Sequence, residues 1–385
     1  MNFSSVIGQQ QVKEKLLLSV QQNRVSHAQL FLGPEGSGAL ALALAFAQYI
    51  NCENRTETDS CGTCPSCIKS QKLIHPDIHF SFPVYKLKSG SENPAWSSDF
   101  IKQWREAVLA NPYQHINDWL DFINAENKQG NITAKECNEI VHKMSLKSFE
   151  AGYKILILWM PEYLGAEGNK LLKLIEEPPP NTVFIFVAEN DALILPTILS
   201  RLQLIKLPPL QDGAITRALE SQFEDLSPDK ALQLASISDG NFREALLHVQ
   251  NSGEDDWESL LRDGLNAIVK SGPVAQVKWV EEAAKLGREK QKQFLKYFLR
   301  LLEEAVRIEV LGPQGFNADE TLTSTFEMAV KLNKICSLDQ KEAIMNELDH
   351  ASYYIERNAN AKILFHALTI KLSHIIRNKS LILVN

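Results

Sequence analysis

The sequence has no excess of positive charge and no long hydrophobic run, and each absence excludes a class of protein. Its 385 residues carry a formal net charge of −7, which argues against a monomer that binds nucleic acid over a broad basic face. The longest apolar run, residues 39–47, is too short to cross a bilayer, and residues 1–18 lack the pattern of a secretory signal. We therefore expect a cytoplasmic protein, whose length and 44% hydrophobic content suit two or three domains.

Cysteine is scarce, but four of the six cysteines lie within one short stretch: Cys52, Cys61, Cys64 and Cys67. In a reducing compartment, such clustering indicates a metal site rather than disulfides. Four thiolates complete one tetrahedral Zn²⁺ site of the structural kind and leave no open position for a catalytic water. We therefore predict structural zinc at residues 52–67. Unliganded thiols and an iron–sulfur cluster are the less favoured alternatives.

A phosphate-binding loop is present in outline, without its lysine. Residues 33–40 read GPEGSGAL, directly after the apolar run 29–32. In a working loop, G-x-x-x-x-G-K-[ST], backbone N–H groups hold the phosphates, the lysine reaches the β and γ oxygens, and the hydroxyl binds Mg²⁺. Ala39 and Leu40 supply neither group, so we predict a degenerate nucleotide site, with a plain structural turn as the alternative. The glycines of this site are Gly33, Gly36 and Gly38.

A second element of phosphate chemistry is also missing. The apolar run 154–158 ends in Trp159 and Met160, where an ATPase strand ends in the acidic pair that orients Mg²⁺ and the attacking water. Nearby Glu162 follows Pro161 and is expected to start a helix rather than to bind a metal. We therefore expect no intrinsic ATPase activity and no strong binding of ATP or ADP. The residues leave open whether backbone amides alone still hold phosphate.

The apolar runs predict a parallel sheet covered on both faces by helices. Strands are predicted at 29–32, 154–158 and 183–187, and helices between the first two at 39–50 and 133–145. Residues from about 83 to 131 are interpreted as an insertion. We expect its tryptophans, Trp96, Trp104 and Trp119, to form a small satellite core rather than a docking patch.

Downstream of Pro208 and Pro209 the pattern is helical only. A second break at Gly272 and Pro273 separates a small helical unit from a larger one. The predicted domains are therefore an α/β domain at 1–208 and two helical domains at 209–271 and 272–385.

Two arginines have positions that suit phosphate recognition. Arg201 follows Ser200 close after the predicted strand 183–187, and Arg243 ends the sequence GNFR. An arginine presented to a neighbour's γ-phosphate stabilises transition-state charge, because its planar fork matches phosphate oxygens. Judged from the residues alone, a surface ion pair is the favoured role for Arg201. Pairing with Glu244 or another acidic neighbour is the favoured role for Arg243.

As an ordered set, these motifs resemble the clamp-loader branch of AAA+ proteins. The resemblance covers most of the chain. Its most specific element is the motif with two glutamates and two prolines at 176–179, which lies just ahead of a predicted strand and of the Ser-Arg pair. In chain order the motifs are VIGQ at 6–9, HA at 27–28, GPEGSGAL at 33–40, the four cysteines with HPD at 75–77, SLKS at 145–148, NKLLKLIEEPP at 169–179, SR at 200–201 and GNFR at 240–243.

The resemblance implies an α/β AAA+ P-loop domain at 1–208 with an inserted zinc module, then an α-helical lid at 209–271 and an α-helical collar at 272–385. Five subunits pack through such collars into a ring. The assembly uses ATP to open a ring-shaped sliding clamp and close it around primer–template DNA during DNA replication.

Within this hetero-pentamer the resemblance implies a rigid stator that does not hydrolyse ATP. Arg201 is then an arginine finger that acts in trans on the ATP of an adjacent motor subunit, with Ser200 as its neighbour, and Arg243 belongs to the vestigial site. Leu202 departs from the family motif, which has cysteine there. An ATP-binding motor subunit and a stand-alone zinc-containing DNA-binding protein are the alternatives.

Overall fold

Five parallel strands form one sheet at the centre of the first half of the computed structural model. In chain order they are β1 Ala28–Leu32, β2 Ile78–Ser81, β3 Lys154–Trp159, β4 Thr182–Ala188 and β5 Gln203–Lys206. Their spatial order is β2-β3-β4-β1-β5. The predicted parallel sheet is therefore confirmed, and the three predicted strands are its central ones.

The two strands that the sequence analysis missed, β2 and β5, lie at the two edges of the sheet. Each has only four residues, and each contains polar side chains, such as His79 in β2 and Lys206 in β5. Strands that are buried on both faces appear as continuous apolar runs, whereas these short edge strands do not.

The structure describes residues 1–85, 96–125, 128–150, 152–250, 257–312, 324–357 and 359–378. The chain divides into two units, Met1–Ser252 and Gly253–Asn385. Within the described ranges, every helix is too short or too polar to span a bilayer.

The described residues of the first unit also form helices. They are α1 Gln10–Gln21, α2 Ala39–Ile50, α3 Pro65–Gln71, α4 Ile101–Ala110, α5 Ile116–Phe122, α6 Ala134–Ser145, α7 Leu172–Glu176, α8 Pro196–Leu199, α9 Asp212–Gln222, α10 Pro228–Ile237 and α11 Phe242–Gln250. Short 3₁₀ helices lie at Phe3–Ser5, Ser97–Phe100, Pro161–Tyr163, Gly165–Leu171 and Asp191–Leu193.

Alternate side chains of each central strand enter two separate apolar cores. Ile155 and Ile157 of β3 pack on the face that α2 covers, together with Phe46. Leu156 of β3 packs on the opposite face with Ile140 of α6. This period of two is the geometry of a strand that is buried on both sides, and it accounts for the uninterrupted apolar sequence of β3.

The insertion packs onto the sheet instead of forming a separate core. Trp104 and Trp119 are fully buried, and the ring of Trp104 lies 5.1 Å from that of Trp159 in β3. Both belong to the core that contains α2, so the expected satellite core is continuous with the main one. The reason is that Trp104 of α4 packs on Trp159 at the end of β3, and Trp119 of α5 packs on Trp104. Residues 86–95 and 126–127 of the insertion lie outside the described residues.

The described residues of the second unit form helices around one apolar core. The helices are α12 Trp257–Asn266, a π-helical turn Ala267–Ser271, α13 Pro273–Lys285, α14 Arg288–Leu311, α15 Ser324–Ile335, α16 Leu338–Glu356 and α17 Ala361–Asn378. Leu261 and Ile268, which lie before the predicted boundary at 271, are part of this core. The three-domain division stays a prediction, and its residues 251–256, 313–323, 358 and 379–385 lie outside the described residues.

His79 of β2 is expected to make the stability of the fold depend on pH. Burial, together with the cationic Lys143 and Lys154, lowers the pKa of His79 from 6.5 to about 4. Between these pH values the unfolded chain binds a proton that the native chain does not, so stability falls as the pH decreases through that window. In urea unfolding, His79→Asn should flatten this dependence. His142→Asn, at an exposed position on α6, should leave it unchanged. An equal slope in all three proteins would contradict the prediction.

Candidate functional site

The GPEGSGAL loop connects the end of β1 to the start of α2, as a phosphate-binding loop does. Gly36 and Gly38 have positive φ angles of 69° and 87°, which side chains other than glycine rarely adopt. A Cβ on Gly38 would lie 2.7 Å from the ring carbon Cε1 of Tyr113, and one on Gly36 would lie 1.9 Å from Oδ1 of Asn241. The glycines thus allow close approach to the loop, and the groups that approach are the chain's own side chains.

The pocket beside this loop is small and partly open to solvent. The space that the centre of a water molecule can reach there is about 20 Å³, which is room for about one water. The residues around the space include Gly33, Gly38, Tyr113, Trp159, Met160 and Glu189.

The end of β3 has apolar residues where an ATPase has acidic ones. Trp159 and Met160 are both buried. Glu162 lies in the short helix that starts at Pro161, as expected, and its Oε1 accepts hydrogen bonds from the backbone N–H groups of Glu189 at 2.7 Å and Asn190 at 2.9 Å. Burial raises the pKa of the Glu162 carboxyl. Glu162 therefore links the ends of β3 and β4.

Arg243, at the start of α11, is buried and pairs with two carboxylates. Its Nε and Nη2 donate to the two oxygens of Asp118, each at 2.5 Å, and its Nη1 donates to Oε1 of Glu35 at 2.9 Å. Glu244 is farther away, at 3.9 Å. Arg243 therefore pairs with acidic side chains, as its sequence position favoured. The close partners are Asp118 of the insertion and Glu35 of the glycine loop rather than Glu244.

The four clustered cysteines come together at the start of α3. Their sulfur atoms all lie within 4.8 Å of one another, with 3.5 Å between Cys52 and Cys61 and 3.9 Å between Cys61 and Cys67. Four sulfurs at 2.3 Å from one tetrahedral Zn²⁺ are separated by about 3.8 Å, so the arrangement fits this ion. Backbone N–H groups of Cys61, Cys64 and Cys67 point at the sulfurs of Cys52, Cys61 and Cys64, respectively.

The environment shifts the pKa values of three thiols of the cluster in different directions. Backbone hydrogen bonds from Thr63 and Cys64 lower the pKa of the Cys61 thiol to about 6. Burial raises the pKa of the Cys67 and Cys52 thiols. Four thiolates at these distances repel one another, and a divalent cation removes that repulsion. The structural role predicted for these cysteines suits the geometry.

The cysteine module is tied to the N-terminal residues of the chain. The carboxylate of Asp59 accepts hydrogen bonds from the backbone N–H groups of Phe3 at 2.9 Å and Ser4 at 2.8 Å. Ser60 accepts a hydrogen bond from Gln48 of α2 at 2.8 Å. The position of the module therefore affects the segment that leads to the glycine loop.

Arg201 lies just after α8, with about a third of its side chain exposed. Its guanidinium pairs with Glu176 of the IEEPP motif and donates to the carbonyl oxygen of Thr197 at 2.7 Å. It also donates to Oγ of Ser200 at 3.2 Å. The surface ion pair that the residues favoured is thus observed. The pair leaves the arginine accessible from outside the chain.

Two groups were missed by the sequence analysis: Tyr113, which lines the pocket, and Asp118, which pairs with Arg243. Both belong to the insertion, and neither is part of a recognisable motif. Their partners lie 106 residues away, at Ile7, and 125 residues away, at Arg243. Local sequence patterns contain no signal for such pairings.

A family model described as DNA polymerase III, delta subunit, matches residues 8–211. The chain is 24% identical over 371 residues to DNA polymerase III subunit delta' of Escherichia coli (strain K12), with 94% of each chain covered. It is 29% identical over 240 residues to subunit delta' of Bacillus subtilis (strain 168), which covers 62% of this chain and 58% of that one.

It is also 26% identical over 201 residues to DNA polymerase III subunit gamma/tau of Mycobacterium tuberculosis (strain H37Rv). That match covers 52% of this chain, which spans only 27% of the mycobacterial relative. The region matched by the family model includes the parallel sheet, the glycine loop, the four cysteines and Arg201. Because the match to the family model covers more than half of the chain, the chain belongs to the clamp-loader subunit family described as DNA polymerase III, delta subunit.

Proposed function

We propose that this chain is the stator of a bacterial DNA polymerase III clamp loader, a subunit of the delta-prime type that does not hydrolyse ATP. The observation that carries the proposal is the nucleotide site. Ala39 and Leu40 replace its lysine and hydroxyl, Trp159 and Met160 replace its acidic pair, and the pocket has room for about one water. Its partners are then the gamma/tau motor subunits and delta in a hetero-pentamer, with the sliding clamp and primer–template DNA.

The proposed contribution of this chain to catalysis is Arg201, given in trans to ATP on a motor subunit. The guanidinium is partly exposed, and the carbonyl of Thr197 holds one of its nitrogens. An exposed ion pair such as that with Glu176 is worth only about 0–1 kcal/mol. Exchange of that carboxylate for a γ-phosphate therefore costs little, and the phosphate accepts the same planar fork of donors.

The cysteine module is proposed to hold one structural Zn²⁺ through Cys52, Cys61, Cys64 and Cys67. The ion would keep residues 52–67 folded and neutralise the thiolates. Since all four ligand positions are sulfur, the module has no part in the hydrolysis of ATP.

The proposal is tested with the purified chain alone and in mixture with gamma/tau, delta, sliding clamp and primed DNA. We expect no ATP hydrolysis by the chain alone, and turnover by the mixture that depends on this chain. ATP hydrolysis by the isolated chain would contradict the stator role and favour a motor subunit. Tight, salt-sensitive DNA binding by the isolated chain, without assembly, would favour the stand-alone DNA-binding alternative.

A further inference from the structure

The insertion places one aromatic side chain directly against the glycine loop. Tyr113 is buried, and its ring contacts Gly38 at the first turn of α2. Its hydroxyl accepts a hydrogen bond from the backbone N–H of Ile7 at 2.8 Å, and its ring meets the edge of Phe242 with centroids 5.0 Å apart. A single side chain therefore connects the N-terminal segment, the loop and α11.

The same insertion supplies a carboxylate to the buried arginine of α11. Asp118 accepts two parallel hydrogen bonds from Arg243, each 2.5 Å long. This fork is the geometry in which arginine also binds phosphate. The remaining Nη1 of Arg243 donates to Glu35, which belongs to the loop itself. Arg243 therefore bridges the insertion and the loop through two carboxylates of the chain itself.

Backbone and amide contacts close the loop from its other side. The backbone N–H of Phe242 donates to the carbonyl oxygen of Gly36 at 3.3 Å. The side-chain amide of Gln9 donates to the carbonyl oxygens of Ser37 at 3.1 Å and Pro208 at 2.8 Å. Tyr113 and Asp118 thus complete a set of contacts that surrounds the loop.

We propose that residues 112–118 of the insertion are a built-in substitute for the nucleotide. Tyr113 occupies the space beside the loop, and Asp118 takes the place of a phosphate on Arg243. This goes beyond the lack of hydrolysis, because a subunit without a catalytic lysine can still bind nucleotide and change shape with it. Here the loop and α11 are held together in one arrangement whether ATP, ADP or neither is present.

Described residues on either side of 112–118 support this role, because they are anchored in the core. Trp104 and Trp119, on either side of residues 112–118, are fully buried against the sheet. The tyrosine and the carboxylate are therefore presented in one position, without the entropy cost that a free ligand incurs on binding.

The first test uses the full chain and Mg-ATP or Mg-ADP as probes. We expect no binding at millimolar nucleotide by equilibrium dialysis, and unchanged amide hydrogen exchange at Ile7 and at residues 33–40. Ala39→Lys, which restores the lysine but leaves Tyr113 in place, should also fail to bind. Nucleotide binding by either protein, or altered exchange in the loop on addition of nucleotide, would overturn the proposal.

The second test measures the contacts themselves by amide hydrogen exchange without nucleotide. Tyr113→Phe keeps the ring and should speed exchange at Ile7 by about fivefold, as expected for the loss of one hydrogen bond. Tyr85→Phe is the matched control, because its hydroxyl bonds within the insertion, to the carbonyl of Ile123 at 3.0 Å. Equal exchange at Ile7 in native chain and Tyr113→Phe would contradict the proposed contact.

The third test removes the charge that replaces the phosphate. Asp118→Asn should speed exchange at residues 36–38 by about tenfold or more, since hydrogen bonds to charged groups are the strong ones. Asp121→Asn, an exposed aspartate on the same short helix, should change it less than about twofold. Equal effects of the two variants would argue against Asp118. All three tests use the chain alone, so their failure would leave the stator role, measured on the assembly, untouched.

Discussion

Replacing Arg201 by alanine is expected to slow ATP turnover of the assembled clamp loader by about 10³-fold or more. The γ-phosphoryl group spreads negative charge over its oxygens in the transition state, and an arginine from the neighbouring subunit stabilises that charge. The stability of this chain should change little, because the contacts that are lost, to Glu176 and the carbonyl of Thr197, lie at the surface.

The experiment compares native chain, Arg201→Ala and Arg201→Lys in reconstituted assemblies with sliding clamp and primed DNA. Assembly is verified by size-exclusion chromatography before turnover is measured. Lysine keeps the charge but not the planar fork, so its turnover should fall between those of the other two. Arg217→Ala, at an exposed position of α9, is the matched control and should behave as native chain does. Native turnover in assembled Arg201→Ala would exclude the finger role.

Replacing Cys67 by serine is expected to lower the melting temperature of the chain by about 10 °C, because loss of a structural metal ligand costs several kcal/mol in a chain of this size. The remaining three sulfurs cannot complete the tetrahedral shell. The effect should extend beyond residues 52–67, since Asp59 bonds to the backbone of Phe3 and Ser4. Amide exchange at these two residues should therefore increase as well.

Metal content is the direct measurement for this second prediction. Native chain should contain one zinc per molecule by elemental analysis, and a chelator should lower its melting temperature as Cys67→Ser does. Cys137→Ser changes a buried cysteine of α6 outside the cluster and should retain the zinc. Native chain that is free of metal and insensitive to chelator would rule out the structural zinc.

The central part of the fold was predictable because its signals are local. The strands β1, β3 and β4 are predominantly apolar runs. The helix α2 is almost wholly apolar, and the apolar residues of α6 recur at helical spacing. The edge strands β2 and β5 are short and partly polar, so their sequences resemble loops. Trp96, Trp104 and Trp119 were expected to form one small core, and Trp104 and Trp119 do pack together. Trp96 is only partly buried, outside that core, and bonds to Asp99. The contact of Trp104 with Trp159 depends on tertiary structure alone.

The candidate site was predictable to the extent that it consists of motifs. The glycine loop, the four cysteines and the Ser200–Arg201 pair are recognisable from residue types and spacing. Tyr113 and Asp118 are not, because each meets a partner more than a hundred residues away. The sequence therefore indicated which catalytic groups the nucleotide site lacks. The side chains that lie beside the glycine loop and Arg243 could be identified only from the structure.

The contact between Tyr113 and Gly38 also bears on how this lineage reached its present state. A mutation that restored lysine at position 39 would give no selective gain while the tyrosine ring fills the adjacent space. A mutation that removed the ring first would leave a gap in a buried region and the loop with one support fewer. Reversal thus requires both mutations together, because the first gives no gain by itself and the second is unfavourable by itself. On the role proposed for residues 112–118, single mutations are therefore not expected to restore nucleotide binding.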